Sequence, residues 1–165
     1  MRPFQISVVL PTFNEKENIG GMIEQLNNMF SDNNYQGEII VVDDKSPDGT
    51  AEIVREIGLE KKNVRVIVRD IREGVGAAHN TGYTAAEGDV IVSMDADHSH
   101  NPEDIPRLMA KLDDGYGFVV GSRYMDGGST DKPMKNIIVS ILGSRFISTV
   151  LKVRIHDFTN GFRAI

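Results

Sequence analysis

Val90-Ile91-Val92-Ser93-Met94, running straight into Asp95-Ala96-Asp97, decides how the chain reads. A short β-prone segment that ends on two carboxylates is a strand delivering charge to one edge of a sheet. Comparable β-branched runs lie at 6–10, 38–42, 64–69 and 118–122, with helix-period segments between them. Ile39-Ile40-Val41-Val42 is apolar throughout, as expected where helices cover both faces of a strand. The alternation predicts an α/β fold, a mostly parallel sheet with helices on both faces. Between the first two runs, Ile19, Met22, Ile23, Leu26 and Met29 recur at helical intervals, and Asn14 with Glu17 has capping-box spacing. Ser46-Pro47 and Asn101-Pro102 each set a capping residue before a proline suited to a helical first turn. Pro106 implies an irregular start to the helix before Leu112, and Gly88 is placed to stop a helix over 77–87.

A chain of 165 residues suits one domain. Its 18 basic and 24 acidic residues give a net charge of -6, so attraction to nucleic acid is not expected. Cysteine is absent, which excludes disulfides and thiolate zinc sites and suits a reducing cytosol. The first residues enter a strand without a signal-peptide pattern, and no apolar run approaches the roughly 18 to 20 residues of a membrane span. No repeat or low-complexity tract divides the chain, and only Asp126-Gly127-Gly128-Ser129-Thr130 reads as a loose segment.

Polar residues gather at strand C-terminal ends: Thr12, Asn14 and Glu15 after the first, Asp43 and Asp44 after the second, Asp95 and Asp97 after the fourth. In open α/β sheets that edge forms the ligand crevice. Asp95 and Asp97 straddle Ala96, whose small side chain admits a ligand, and their hard oxygens suit Mg2+ or Mn2+ held with positions open for a diphosphate. An isolated Asp-x-Asp is more often a solvated turn; its place after an apolar strand favours the metal. His98 and His100 can join that shell, although local hydrogen bonding is the commoner role. One carboxylate of Asp43-Asp44 can accept hydrogen bonds from a base or ribose, with turn chemistry in Lys45-Ser46-Pro47-Asp48-Gly49-Thr50 as an even alternative. Gly74-Val75-Gly76 is not a dinucleotide fingerprint, because the sixth position is His79; close helix packing is favoured slightly over a loop that covers phosphate. Arg123, in Gly121-Ser122-Arg123-Tyr124, carries a planar fork that grips phosphate or pairs with a nearby acid.

Six motifs then occur in order: Pro11-Thr12-Phe13-Asn14-Glu15, Val42-Asp43-Asp44 with Lys45-Ser46-Pro47-Asp48-Gly49-Thr50, Gly74-Val75-Gly76-Ala77-Ala78, Asp95-Ala96-Asp97 with His100-Asn101-Pro102-Glu103, Gly121-Ser122-Arg123-Tyr124, and Asp157-Phe158-Thr159-Asn160-Gly161-Phe162-Arg163. Over nearly the whole chain they resemble the family 2 inverting glycosyltransferases of GT-A fold, most closely the dolichyl (polyprenyl) phosphate mannose synthases. The resemblance implies that Pro11, Phe13, Glu15, Val42 and Asp44 line a nucleoside pocket. It implies that Asp95 and Asp97 engage metal and diphosphate, that Arg123 contacts phosphate and that Ala96 belongs to the same binding set, with Asp95, Asp97 and Arg123 as the catalytic set. Asp95, Asp97 and Ser99 are the implied metal ligands, Ser99 standing where some relatives carry glutamine. Lys135 lies near the place where relatives put an arginine before the Ser140 equivalent.

The implied activity is metal-dependent transfer of mannose from GDP-mannose to dolichyl or polyprenyl phosphate, by one inverting displacement at the cytoplasmic face of a membrane. A phosphate acceptor is already anionic and requires no strong base; a hydroxyl acceptor would draw on Asp126 or Asp157. The apolar stretch 137–153, interrupted by Ser140, Gly143, Ser144, Arg145, Ser148 and Lys152, is expected either to cover the sheet or to lie in a membrane interface, the two on equal terms. The chain reads as a single catalytic domain over 1–165, ending just after Gly161-Phe162-Arg163, where relatives continue for several elements. Two other readings stand beside this one. One is a transferase using another nucleotide sugar such as UDP-glucose with a glycan or protein acceptor; the other is a nucleotide-sugar-binding module without turnover.

Overall fold

The computed structural model describes residues 4–124, 134–153 and 155–165. Strands β1 (Phe4–Thr12), β2 (Gly37–Asp43), β3 (Val64–Val68) and β4 (Gly88–Ser93) pair in parallel in the order β3-β2-β1-β4. Helices α1 (Lys16–Asp32), α2 (Thr50–Glu60) and α3 (Val75–Ala85) make the crossovers. A 3-10 turn at Pro102–Asp104 leads into α4 (Ile105–Asp113), and α5 spans Met134–Leu151. Two further strands of two residues each, β5 (Val119–Val120) and β6 (Arg163–Ala164), complete the sheet in the order β4-β6-β5, both pairings antiparallel. This is the mostly parallel α/β architecture expected. The added strand is β6, too short to leave a periodicity, and it rather than β5 borders β4.

Apolar strands are apolar here because both faces are covered. One face buries Ile6, Val8, Leu10, Ile39, Val41 and Val92 against α1, α2 and α4. On the other, Val9, Ile40 and Val42 meet Ala78 of α3. A Cβ at Gly82 would collide with Val9, so α3 lies directly on β1 and β2.

Local capping follows a different route from the expected one. Asn14 does not cap α1; it sits at φ 61, and Glu15 is the N-cap. The β2–α2 loop supplies the acceptors instead: Asn14 N–H donates to Ser46 Oγ at 2.9 Å, Glu15 N–H to Thr50 Oγ1 at 3.0 Å and Lys16 N–H to Asp48 Oδ2 at 3.0 Å. Two orphan donors at the start of α1, the Glu15 and Lys16 N–H groups, are thus satisfied by a loop about 32 to 35 residues away in sequence. Pro47 correspondingly lies in that loop, and α2 begins only at Thr50 after Gly49 at φ 94. Asn101 behaves as expected, accepting from Glu103 N–H at 3.1 Å before Pro102, and Pro106 lies in the first turn of α4 behind the 3-10 segment. Gly88 does not stop α3, which ends at Ala85; it is buried at the start of β4, where a side chain would strike Ser7.

Helix α5 does not cover the sheet. Val139, Leu142, Phe146, Val150 and Leu151 are exposed, whereas Ser144 is buried. Ser140, Ser144 and Ser148, spaced by four, form the seam by which the helix is attached: Ser140 Oγ lies 2.6 Å from Thr159 Oγ1, Ser144 Oγ accepts from Phe158 N–H at 3.0 Å, and Ser148 Oγ donates to the Ile155 carbonyl. Its polar side faces the protein and its apolar side faces out.

Candidate functional site

Strands β1 and β4 are neighbours, yet β1 leads on to β2 while β4 leads towards β5 on the far side. The crevice of such a sheet opens beyond their C-terminal ends. Thr12, Asp43, Asp44 and Asp95 all emerge there.

Asp43 and Asp44 have separate tasks. Asp43 is fully buried and accepts from Thr12 Oγ1 at 3.0 Å, Ser46 N–H at 2.8 Å and Ser46 Oγ at 2.6 Å, so it organises the turn. Asp44 forms an ion pair with Arg69 Nε at 3.0 Å, the side chains 7% and 9% exposed. Asp44 Oδ1 and Arg69 Nη1 nevertheless have no hydrogen-bond partner among the described residues. Arg69 was not singled out from the sequence, where it looks like an ordinary strand-end cation; the β2–β3 register, with Asp43 opposite Val68, brings it to Asp44. Phe13 is part-exposed, and the Arg72 guanidinium lies over its ring at 3.7 Å. Pro11 and Glu15 are also part-exposed, with Glu15 Oε2 accepting from Asn18 Nδ2 at 2.8 Å. Val42 reaches no surface: it packs with Val9, Ile40 and Ala78, so its side chain supports the strand end rather than facing a ligand.

After β4, the Asp95 side chain is 43% exposed and Asp97 is exposed, while Ala96 is buried in the core. The methyl group of Ala96 therefore serves packing rather than ligand entry, which leaves its backbone as the part that can meet a ligand. Asp97 Oδ1 accepts from Ser99 N–H at 3.0 Å. Burial pushes the Asp97 carboxyl up, but hydrogen bonds from the Ser99 side chain and backbone outweigh it and hold the group below its ordinary value. Two outward carboxylates, one kept ionised, are the right donors for a hard divalent cation whose other positions fall to a diphosphate. His100 is not placed as a ligand. Its Nδ1 accepts from Asp95 N–H at 3.1 Å, so its proton lies on Nε2, 2.8 Å from Asn160 Oδ1, and its ring stacks on Phe162. His98 is exposed at φ 61.

Arg123 is held by Asp157: Nε donates to Oδ2 at 2.8 Å and Nη2 to Oδ1 at 2.9 Å, with a further bond from Nη2 to Thr159 Oγ1 at 2.6 Å. The fork that was expected to grip phosphate bidentately is thereby occupied, and a phosphate would meet the guanidinium through Nη1. Asp157, a candidate base for a hydroxyl acceptor, is instead committed to Arg123. Burial raises its carboxyl, but the hydrogen bonds from Arg123 and Thr159 and the Arg123 charge prevail and hold it low, so it stays an ionised partner. Asp126, the segment 126–130 and the Lys135 side chain lie outside the described residues.

Gly74 is the N-cap of α3 at φ 91, a conformation that favours glycine, whereas a Cβ at Gly76 would meet nothing among the described residues within 4 Å. Gly76 is therefore not the packing glycine; Gly82 is. Beside Gly76 lies a cavity of about 480 Å3, bounded by α3, by Asp95, by Thr159 and Gly161 of the last loop and by Arg163 of β6.

Fold and site together define a doubly wound α/β domain with an acidic crevice at its switch point. The chain belongs to glycosyl transferase family 2, which it matches over residues 7–165, and its fold is that of the GT-A glycosyltransferases. It is 37% identical to the polyprenol monophosphomannose synthase of Mycolicibacterium smegmatis, over 99% of this chain and 63% of that protein. It is also 37% identical to the dolichol-phosphate mannosyltransferase of Pyrococcus furiosus, over 98% and 46% respectively. The chain thus spans about half to two thirds of the length of these curated relatives. A mannosyltransferase of Pyrobaculum calidifontis in complex with GDP-Man and Mn2+ superposes with a TM-score of 0.59 at 27% identity, covering 74% of this chain and 36% of that one.

Proposed function

We propose that the chain is the catalytic portion of a metal-dependent, inverting mannosyltransferase that uses GDP-mannose and a polyprenyl or dolichyl phosphate. One observation carries this reading: Asp95 and Thr159, the latter bonded to Arg123, open on a single cavity. A donor diphosphate at Asp95 and an acceptor phosphate at Arg123 would then face each other across it. The curated relatives and the mannosyltransferase bound to GDP-Man and Mn2+ support the donor, the metal and the lipid acceptor.

The chemistry follows from these positions. An oxygen of the acceptor phosphate attacks the anomeric carbon as the bond from that carbon to the GDP oxygen breaks, and the configuration inverts. Because the acceptor oxygen is already anionic, Asp157 can remain committed to Arg123. Arg123 orients the acceptor, and the part-exposed residues Pro11, Phe13 and Glu15, with Asp44, hold the nucleoside. Mg2+ or Mn2+ on Asp95 and Asp97, with Ser99 beside them, supplies positive charge to the departing diphosphate when bound. The outward apolar side of α5 is suited to a membrane interface where a lipid phosphate is presented; among the described residues no helix is long and apolar enough to cross a membrane.

Incubation with labelled GDP-mannose, Mn2+ and dolichyl phosphate is expected to yield lipid-linked mannose. GDP binding without transfer would instead support a binding module, and thermal stabilisation by UDP but not GDP would remove the mannose assignment. Asp97→Ala should abolish metal-dependent GDP binding with an unchanged melting temperature in the absence of ligand; undiminished affinity in that variant would refute the metal site.

A further inference from the structure

We propose that His79 and Arg163 bind the hydroxyl groups of the hexose in transit, making the cavity between α3 and β6 the sugar subsite. This rests on the donor and acceptor positions proposed above. A transferred group must lie between the departing diphosphate and the attacking phosphate. Asp95 and Thr159 both line this cavity, and its volume of about 480 Å3 lies within the range of small-molecule sites.

The same cavity is lined by groups that neither phosphate position employs. His79 Nδ1 is buried and has no hydrogen-bond partner among the described residues. With Nδ1 shielded from solvent, Nε2 is the ring nitrogen left to meet a ligand hydroxyl in the cavity. Burial and the positive charge of Arg163 hold the His79 imidazole below its ordinary value. It is therefore neutral near pH 7 and can donate or accept, which matches a hydroxyl group. Arg163 faces it from β6, where it pairs with Ser93 of β4. Arg163 Nε donates to the Asn160 carbonyl at 3.1 Å, and its terminal nitrogens have no partner among the described residues. Tyr83 completes the wall: its hydroxyl is tied to Ser93 Oγ at 3.0 Å, which leaves its ring, 5.7 Å from that of His79, as an apolar surface.

The distinguishing measurement is calorimetric titration, in the presence of Mn2+, of GDP and of GDP-mannose into the wild-type chain and into His79→Ala, Arg163→Met and Arg163→Lys. Each of His79→Ala and Arg163→Met is expected to bind GDP as the wild type does but GDP-mannose about tenfold more weakly, with Arg163→Lys intermediate. Should Arg163→Met lower the melting temperature, His79→Ala and Arg163→Lys carry the comparison. An equal loss for both ligands would place these side chains on the diphosphate and overturn the proposal; unchanged affinity for both would overturn it as well. A wild-type chain that binds UDP and UDP-glucose instead would overturn only the guanine assignment, and the same ratio would then be read with those ligands. Failure to bind any nucleotide would remove the proposed function and the sugar subsite together.

Discussion

Arg123 and Asp157 show how a residue's role depends on what it touches. Seen in the sequence, Arg123 is a free cation and Asp157 a free acid; in the fold each is the other's partner, 15% and 0% exposed. Removing one member of such a buried pair strands the other, at a cost of about 3 kcal/mol or more. Asp157→Asn should therefore destabilise the fold by roughly that amount at pH 7, read by urea denaturation. The sign with pH follows from the direction of the shift. The Asp157 carboxyl titrates below its unfolded value of 3.8, so its contribution is complete above that value and is lost as pH falls through the lower folded one. The gap between wild type and Asp157→Asn should consequently close in acid. A gap that widened below pH 4 would mean that Asp157 is not held ionised by Arg123.

Helix α5 carries the same lesson over eighteen residues. Its sequence is compatible with a helix buried on the sheet or with one lying at an interface, because an apolar run does not say which side is covered. The serine seam at Ser140, Ser144 and Ser148 settles attachment through polar groups and turns Leu142 and Phe146 outward, 62% and 70% exposed. If that side enters a lipid interface, Leu142→Glu with Phe146→Glu should reduce binding to vesicles containing dolichyl phosphate by about tenfold or more, since each apolar side chain buried contributes about 1.5 to 3 kcal/mol. Melting should be unaffected, because neither side chain packs on the core. Equal vesicle binding by the double variant would exclude this side of α5 as the contact.

The sheet order brings together segments that the sequence keeps 60 residues apart. His100 and Asn160 join the end of β4 to the last loop: His100 receives the Asp95 N–H, Asn160 Oδ1 also accepts from Phe162 N–H at 3.2 Å, and Asn160 Nδ2 donates to the Gly121 carbonyl at 2.6 Å. Asp95 is thereby fixed to the strand that leads to Arg123. His100→Ala and Asn160→Ala should each weaken Mn2+-dependent GDP binding, and the double variant should be little worse than either single one, because both break one chain of bonds. Additive losses in calorimetry would show that the two residues act separately.

The chain's own pattern determined the strand runs β1 to β4, the helices between them and the placing of the acids at strand ends, because periodicity and strand-terminal charge are local properties. The motifs also indicated the family. Tertiary structure alone decided which acid stands free and which is paired, for Asp43, Asp44 and Asp157 differ only in the neighbours that β-sheet register and the last loop bring to them. It likewise produced β6, moved the cap of α1 from Asn14 to the β2–α2 loop, and set His79 opposite Arg163. Each of these depends on contacts between residues distant in sequence, and local chemistry carries no record of them.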